Sequence, residues 1–184
     1  MFDLYRFIAD CIEAQTADPS SKLVQQVVAR AVSECAGVLH GLGEPRRAQM
    51  QKLYHSPRLT ILNIIWAPGM TMVPHDHRMW AVIGLYTGRE DNTFWRRIKG
   101  DLHGRVEPTA VRSLAAGEAK SLATNVIHSV ANPLPRLTGA LHVYGGDFFA
   151  AHRSEWNPDT MREERFDADK AVCRFEEWVS PQAG

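Results

Sequence analysis

The sequence predicts a mainly β protein, a sandwich or barrel of many short strands preceded by a helical N-terminal segment. Three observations carry this. Apolar residues before residue 55 recur at mixed three- and four-residue spacing; after Ser56-Pro57 the chain turns to short runs rich in branched and aromatic residues; and loops containing Gly, Pro or Asn separate those runs. The chain of 184 residues is long enough for one domain with a sizeable core, and it divides into a helical segment 1–55, a barrel 56–150 and a tail 151–184.

The elements follow in order. Phe2, Leu4, Tyr5, Ile8 and Ile12 give a first helix over Phe2 to Ala14. Asp18-Pro19-Ser20-Ser21 is a turn and helix start, and Leu23, Val24, Val27, Val28, Ala31 and Val32 stripe the next helix. Gly41-Leu42-Gly43-Glu44-Pro45 breaks the pattern, and a shorter helix is expected from Arg46 to about Tyr54. Leu59 to Trp66 is the first strand, ended by Pro68-Gly69. Further strands are expected over Trp80 to Tyr86, Thr93 to Ile98, Gly104 to Ser113, Glu118 to Ala123, Val126 to Ala131 and Leu137 to Tyr144. In the mixed, charged tail, Asp167 to Val179 reads either as a last helix or as loosely ordered chain.

Composition narrows the function classes. Lys+Arg and Asp+Glu balance at 21 each, so nothing calls for a nucleic-acid partner. The N-terminus has acidic residues inside its apolar run and no basic lead, unlike a signal peptide or membrane span. The default expectation is therefore a cytoplasmic protein without a membrane partner. Cys11, Cys35 and Cys173 are scattered and odd in number, with no CxxC spacing, and read as free thiols. Oligomeric state is not legible.

The chemistry concentrates in Gly69-Met-Thr-Met-Val-Pro-His75-Asp-His77. Residues two apart on a strand share a face, so His75 and His77 aim two imidazoles at one point, as a divalent metal requires. Alone, an HxH pair is as well explained by two solvated histidines. A second element, Asn125-Val-Ile-His128-Ser-Val-Ala-Asn132, places another His in a strand-like run that a barrel can bring opposite the first. His142 and Tyr144 are also two apart and share a strand face; with Leu141 and Val143 outward, both polar rings enter the barrel.

The spacing Gly69, His75, His77, Ala81, Gly88 resembles the first cupin motif, and His128 with Asn132 resembles the core of the second. Many cupins carry a ligating Glu where this chain has Ala81, which cannot bind metal. Three histidines without the carboxylate resemble the thiol dioxygenases. The stretch His75 to Gly84, and Leu59 to Trp66 leading into it, look like bacterial cysteine and 3-mercaptopropionate dioxygenases; Leu141-His142-Val143-Tyr144-Gly145 matches the family's Ser-x-His-x-Tyr segment at its His and Tyr. The similarity covers roughly Tyr54 to Arg153. It implies a cupin double-stranded β-helix, metal ligands His75, His77 and His128, and a catalytic pair in which His142 bonds and fixes Tyr144. The family's serine is Ala140 here, and Ala81 excludes the Cys–Tyr cross-link of mammalian members.

The same resemblance implies the reaction: Fe(II)-dependent oxidation of a small thiol by O2 to its sulfinic acid. Purified protein can also hold Ni or Zn at histidine ligands. A substrate carboxylate needs a cationic partner, ideally an Arg fork. No Arg matches the one that mammalian cysteine dioxygenases use. Arg153 aligns with an Arg after the tyrosine in the 3-mercaptopropionate enzymes, and Gln51 with one of their Gln residues; these are the expected substrate contacts, with a solvated surface charge the alternative for Arg153. Trp80 reads as packing, and His40, His55, His103 and His152 as structural or exposed. Two rival classes stay open: another metal-dependent enzyme, such as a Zn hydrolase or lyase, and a non-catalytic cupin that binds a small ligand.

Overall fold

In a computed structural model describing residues 2–178, three helices precede a double layer of antiparallel strands. Helix α1 (Leu4–Ala17) starts where the Asp3 side chain accepts the Arg6 backbone N–H at 3.0 Å, a side-chain cap. Helices α2 (Lys22–Ser33) and α3 (Cys35–Leu42) follow, and α3 stops at Gly43, whose φ of 84° only glycine adopts freely. No helix among the described residues is long and apolar enough to cross a membrane.

The strands are β1 (Gln49–His55), β2 (Thr60–Trp66), β3 (Thr71–Asp76), β4 (Ala81–Thr87), β5 (Arg89–Arg97), β6 (Val106–Ala115), β7 (Ala119–Leu122), β8 (Ile127–Ala131), β9 (Thr138–Tyr144), β10 (Ser154–Trp156) and β11 (Glu163–Arg165); helix α4 (Ala168–Glu176) comes last. One sheet runs β1-β2-β9-β4-β7 and the other β11-β10-β3-β8-β5-β6. The sheets share an interior built from Leu62, Ile64, Trp66, Ile83, Leu85 and Val130. This is the mainly β, cupin-type double-stranded β-helix that the sequence predicts.

The first sheet is buried on both faces. Every residue of β2 and of β9 is buried, which an ordinary half-solvated antiparallel strand does not show. The outward side chains Ile61, Val82, Leu141 and Val143 pack with Phe7, Val24, Val28 and Val32 of the helices. The helical segment is thus a cover for one wall of the barrel. The approach is close: a Cβ on Gly84 of β4 meets a Val28 methyl at 2.4 Å.

Three expectations are corrected. The helix expected from Arg46 to about Tyr54 is strand β1, paired with β2 from Gln49↔Ile65 to His55↔Thr60 around a bulge. Met50, Leu53 and Tyr54 carry a spacing that also suits a helix; pairing to the edge of β2 supplies the backbone partners and overrides it. The helical segment therefore ends at Leu42 rather than residue 55. The tail is also not appended chain: β10 pairs with β3 at Glu155↔His75 and with β11. Of the two readings of Asp167 to Val179, the helix holds over Ala168–Glu176; Val179 lies outside the described residues.

Candidate metal centre

His75 and His128 are cross-strand partners on β3 and β8. Pro74 precedes the pair, and the register shift between Met72 and His75 lies where β3 turns its last side chains inward. His77 follows immediately after the end of β3. The three rings are mutual neighbours, with centroids 4.9 Å (His75–His77), 4.7 Å (His75–His128) and 5.0 Å (His77–His128) apart. Their ligand nitrogens lie within 4.8 Å of one another. Among the described residues no carboxylate belongs to this group.

The surroundings fix which nitrogen faces inward. His75 Nδ1 donates to the Val73 carbonyl at 2.9 Å, and His128 Nδ1 donates to Asn92 Oδ1 at 2.9 Å. Both tautomers then leave Nε2 as a lone pair. His75 Nε2 sits 3.1 Å from His77 Nε2, while His128 Nε2 is buried without a partner. Two bonds of roughly 2.0–2.1 Å at right angles on one cation put their nitrogens about 3 Å apart, so this donor set fits a divalent metal.

Electrostatics support the same reading. Burial pushes His75 down to about 3, against the opposing Val73 hydrogen bond and with the Arg153 charge adding. Burial, followed by the neighbouring His75, holds His77 and His128 well below the ordinary histidine range. All three are neutral at pH 7 and ready to ligate.

His142 and Tyr144 turn inward from β9, as the alternation predicts, while Leu141 and Val143 pack outward. His142 Nδ1 lies 3.1 Å from the Tyr144 hydroxyl. The Tyr144 ring stands edge-on to His77 at 5.0 Å, and burial pushes its phenol pKa up. Ala81 is fully buried opposite Tyr144.

Arg153 is 4% exposed, so it is not a solvated surface charge. Its guanidinium lies between the rings of Phe148 (4.0 Å) and Phe166 (3.6 Å). It donates to the Phe148 carbonyl at 3.3 Å and to the Asp76 carbonyl at 3.5 Å, while Nε has no partner. Burial lowers its pKa to about 10, which leaves it cationic at neutral pH.

One cavity joins His75, His77, His128, His142, Tyr144 and Arg153. It has about 20 Å³ of free volume, room for a single ion or water. Arg153 also borders an open groove of about 680 Å³ beside Gly104 and His152. Gln51 does not line the cavity. It is exposed on β1, and its Oε1 accepts from Asn63, whose own oxygen takes the Tyr86 hydroxyl on the helix-covered side. Strand alternation turns Met50, its neighbour, inward instead.

Other residues resolve into structural parts. Trp80 donates its indole N–H to the Pro19 carbonyl at 2.9 Å, tying β4 to the α1–α2 turn. Asn132 donates to the Ala67 and Arg136 carbonyls at 2.9 and 2.8 Å and stitches two turns together. Asp76 accepts the Ser154 N–H and pairs with Arg78, fastening β3 to β10. His55 pairs with Asp147 at 2.9 Å. Asn92 and Glu90 escape a reading of the sequence, because Arg89-Glu-Asp-Asn92 looks like a polar turn after Gly88. The signal was alternation: Glu90, Asn92 and Phe94 point inward while Asp91 and Thr93 do not.

No protein-family model matches the chain. Among solved structures it is similar to an RmlC-like cupin family protein with a double-stranded β-helix fold from Methanocaldococcus jannaschii, at 14% identity and TM-score 0.47 over 58% of this chain and 86% of that one. It is also similar to a cupin 2 conserved barrel domain protein from Salinispora arenicola (22% identity, TM-score 0.41, 53% and 74% covered) and to a cupin superfamily protein from Desulfitobacterium hafniense (18%, 0.44, 58% and 85%). The chain's own sheet order and its central histidines give a cupin-type barrel with a candidate three-histidine site for a divalent metal.

Proposed function

We propose that the chain is a mononuclear non-haem iron dioxygenase that oxidises a small carboxylate-bearing thiol, of the 3-mercaptopropionate or cysteine kind, to its sulfinic acid with O2. The observation that carries this is the meeting, in one cavity, of three neutral imidazoles, no acidic ligand, a Tyr–His pair and a buried arginine. His75, His77 and His128 would hold the metal. Iron, when bound, supplies the redox chemistry and open positions for thiolate and dioxygen, and three neutral ligands leave it the positive charge that favours a thiolate.

The protein's own groups do the rest. Arg153 offers a planar cation to the substrate carboxylate at the boundary between the open groove and the inner cavity. Phe148 and Phe166 pack against that guanidinium and help hold it in place. Tyr144, held by His142, keeps a phenolic proton at the cavity wall because burial opposes its loss. Met72, Trp66 and Phe175 complete an apolar enclosure that limits side reactions with water.

The test is anaerobic reconstitution with Fe(II), followed by an oxygen-electrode screen of 3-mercaptopropionate, cysteine and cysteamine. The expected result is O2 uptake matched by sulfinic acid, faster with the carboxylate thiols than with cysteamine. Failure of every thiol to consume O2 rejects the activity. Tight zinc retention with hydrolytic turnover instead moves the chain to the hydrolase class.

A further inference from the structure

Glu90 is fully buried on the inward face of β5. Its Oε1 accepts the Trp66 indole N–H at 2.7 Å, and its Oε2 has no partner. Across the interior, His142 Nε2 is also buried without a hydrogen bond and lies 3.6 Å from Glu90 Oε1. His142 Nε2 thus lies just beyond bonding distance of the carboxylate, at the oxygen that already accepts from Trp66, and each of the two groups keeps one buried polar atom without a partner. Such an atom is costly, and a small side-chain movement lets the carboxylate, which can accept more than one hydrogen bond, take the His142 N–H. Ala140, next before His142 on the same inward face, carries no polar atom to serve instead.

We infer that Glu90 is the positioning residue for the His142–Tyr144 pair, an inference that rests on the activity proposed above. Glu90 accepts the His142 Nε2–H. The other ring nitrogen is then a lone pair, and it accepts the Tyr144 O–H across the observed 3.1 Å. The phenol oxygen turns its own lone pairs to the cavity. Trp66 on β2 anchors the carboxyl, so the chain of donors runs from Trp66 to Glu90 and from Tyr144 through His142 to Glu90. The strand that supplies Asn92 to orient His128 thereby also orients the catalytic pair, two residues away on the same face.

The test reads the His142 ring by 15N NMR in protein loaded with Zn(II), which is diamagnetic and needs no turnover. In the wild type the proton is expected on Nε2 with Nδ1 unprotonated; a proton on Nδ1 alone overturns the inference without any variant. Glu90→Gln keeps an acceptor oxygen and is expected to keep that pattern, whereas Glu90→Leu is expected to mobilise the ring. In the iron-loaded protein, Glu90→Leu should lower kcat about tenfold with KM little changed, and Glu90→Gln should restore most of it. Trp66→Phe removes the indole donor but leaves the carboxyl, and is expected to preserve the ring signal. If Glu90→Leu leaves both the ring spectrum and kcat as in the wild type, Glu90 serves only to hold Trp66. A correct ring pattern in a protein that oxidises no thiol instead rejects the activity and leaves the positioning intact.

Discussion

At the scale of single residues, the proposed activity makes Arg153 the group on which carboxylate recognition would turn. A guanidinium between two aromatic rings keeps its charge and loses its freedom, so it meets a carboxylate without a further ordering cost. Replacing Arg153 by Met keeps the length and removes the cation. A hydrogen bond to a charged group contributes about 1.5–3 kcal/mol, so KM for a carboxylate thiol should rise roughly ten- to a hundredfold, with cysteamine little affected. Steady-state O2 uptake with both thiols measures this, and equal losses on both would place Arg153 in the scaffold rather than in recognition. The same scale shows what the sequence discloses. His75, His77, His142 and Tyr144 are readable because a two-residue spacing on a strand is itself a statement of common direction. His128 is readable only through its likeness to a second motif. Likeness to a Gln of the 3-mercaptopropionate enzymes makes Gln51 an expected substrate contact; in the structure it lies on β1, where alternation turns Met50 rather than Gln51 toward the cavity. Glu90 and Asn92 hide because charged and amide side chains after Gly88 look solvated, and only tertiary closure buries them.

At the scale of elements, α4 closes one end of the barrel. Asp167 caps it through the N–H groups of Asp169 and Lys170, both at 3.1 Å. Its apolar face places Phe175, 1% exposed, against Trp66 with ring centroids 4.9 Å apart, and Phe175 lines the metal cavity. A cavity of about 20 Å³ does not take a thiol beside a metal unless a wall gives way, and α4, a single helix of nine residues, is a wall that can shift as a unit. Phe175→Ala is expected to destabilise the fold by about 3 kcal/mol in urea titrations, the low end for a buried Phe. It should also let longer thiols turn over while metal content stays unchanged. Lost metal together with unchanged chain-length preference would show that α4 supports the histidines rather than gating access. The apolar stripe of α4 is visible in the sequence, but its destination is not, since nothing local says that Phe175 reaches Trp66 across the barrel. The short strands β10 and β11 are invisible for a related reason: each gets its identity from its partner, β3 in the first case, rather than from its own composition.

At the scale of the whole molecule, the two sheets bury three imidazoles at their common centre, and this couples stability to pH. An unfolded chain protonates histidines near their usual 6.5, whereas in the folded protein burial takes His75 down to about 3 and holds His77 and His128 well below the ordinary range. As pH falls below about 6.5 the unfolded state therefore binds protons that the native state refuses. Stability is fully present above that pH and is lost progressively toward the folded values. Each such group contributes a slope of about 1.4 kcal/mol per pH unit, so the metal-free protein should lose up to about 4 kcal/mol between pH 6 and pH 5. Glu163, held down to about 2 chiefly by its bond to Arg97, acts in the same direction but only below the ordinary carboxylate range, so it does not blur the histidine window. Urea titrations of chelator-treated protein from pH 7.5 to 5 test the slope. His75→Gln should reduce it by about 1.4 kcal/mol per unit, and saturating metal should raise the whole curve because the cation binds only the folded arrangement. A flat profile between pH 7 and 5 would mean that the three rings are solvated in the native protein, and with that the dry metal cavity would be lost as well.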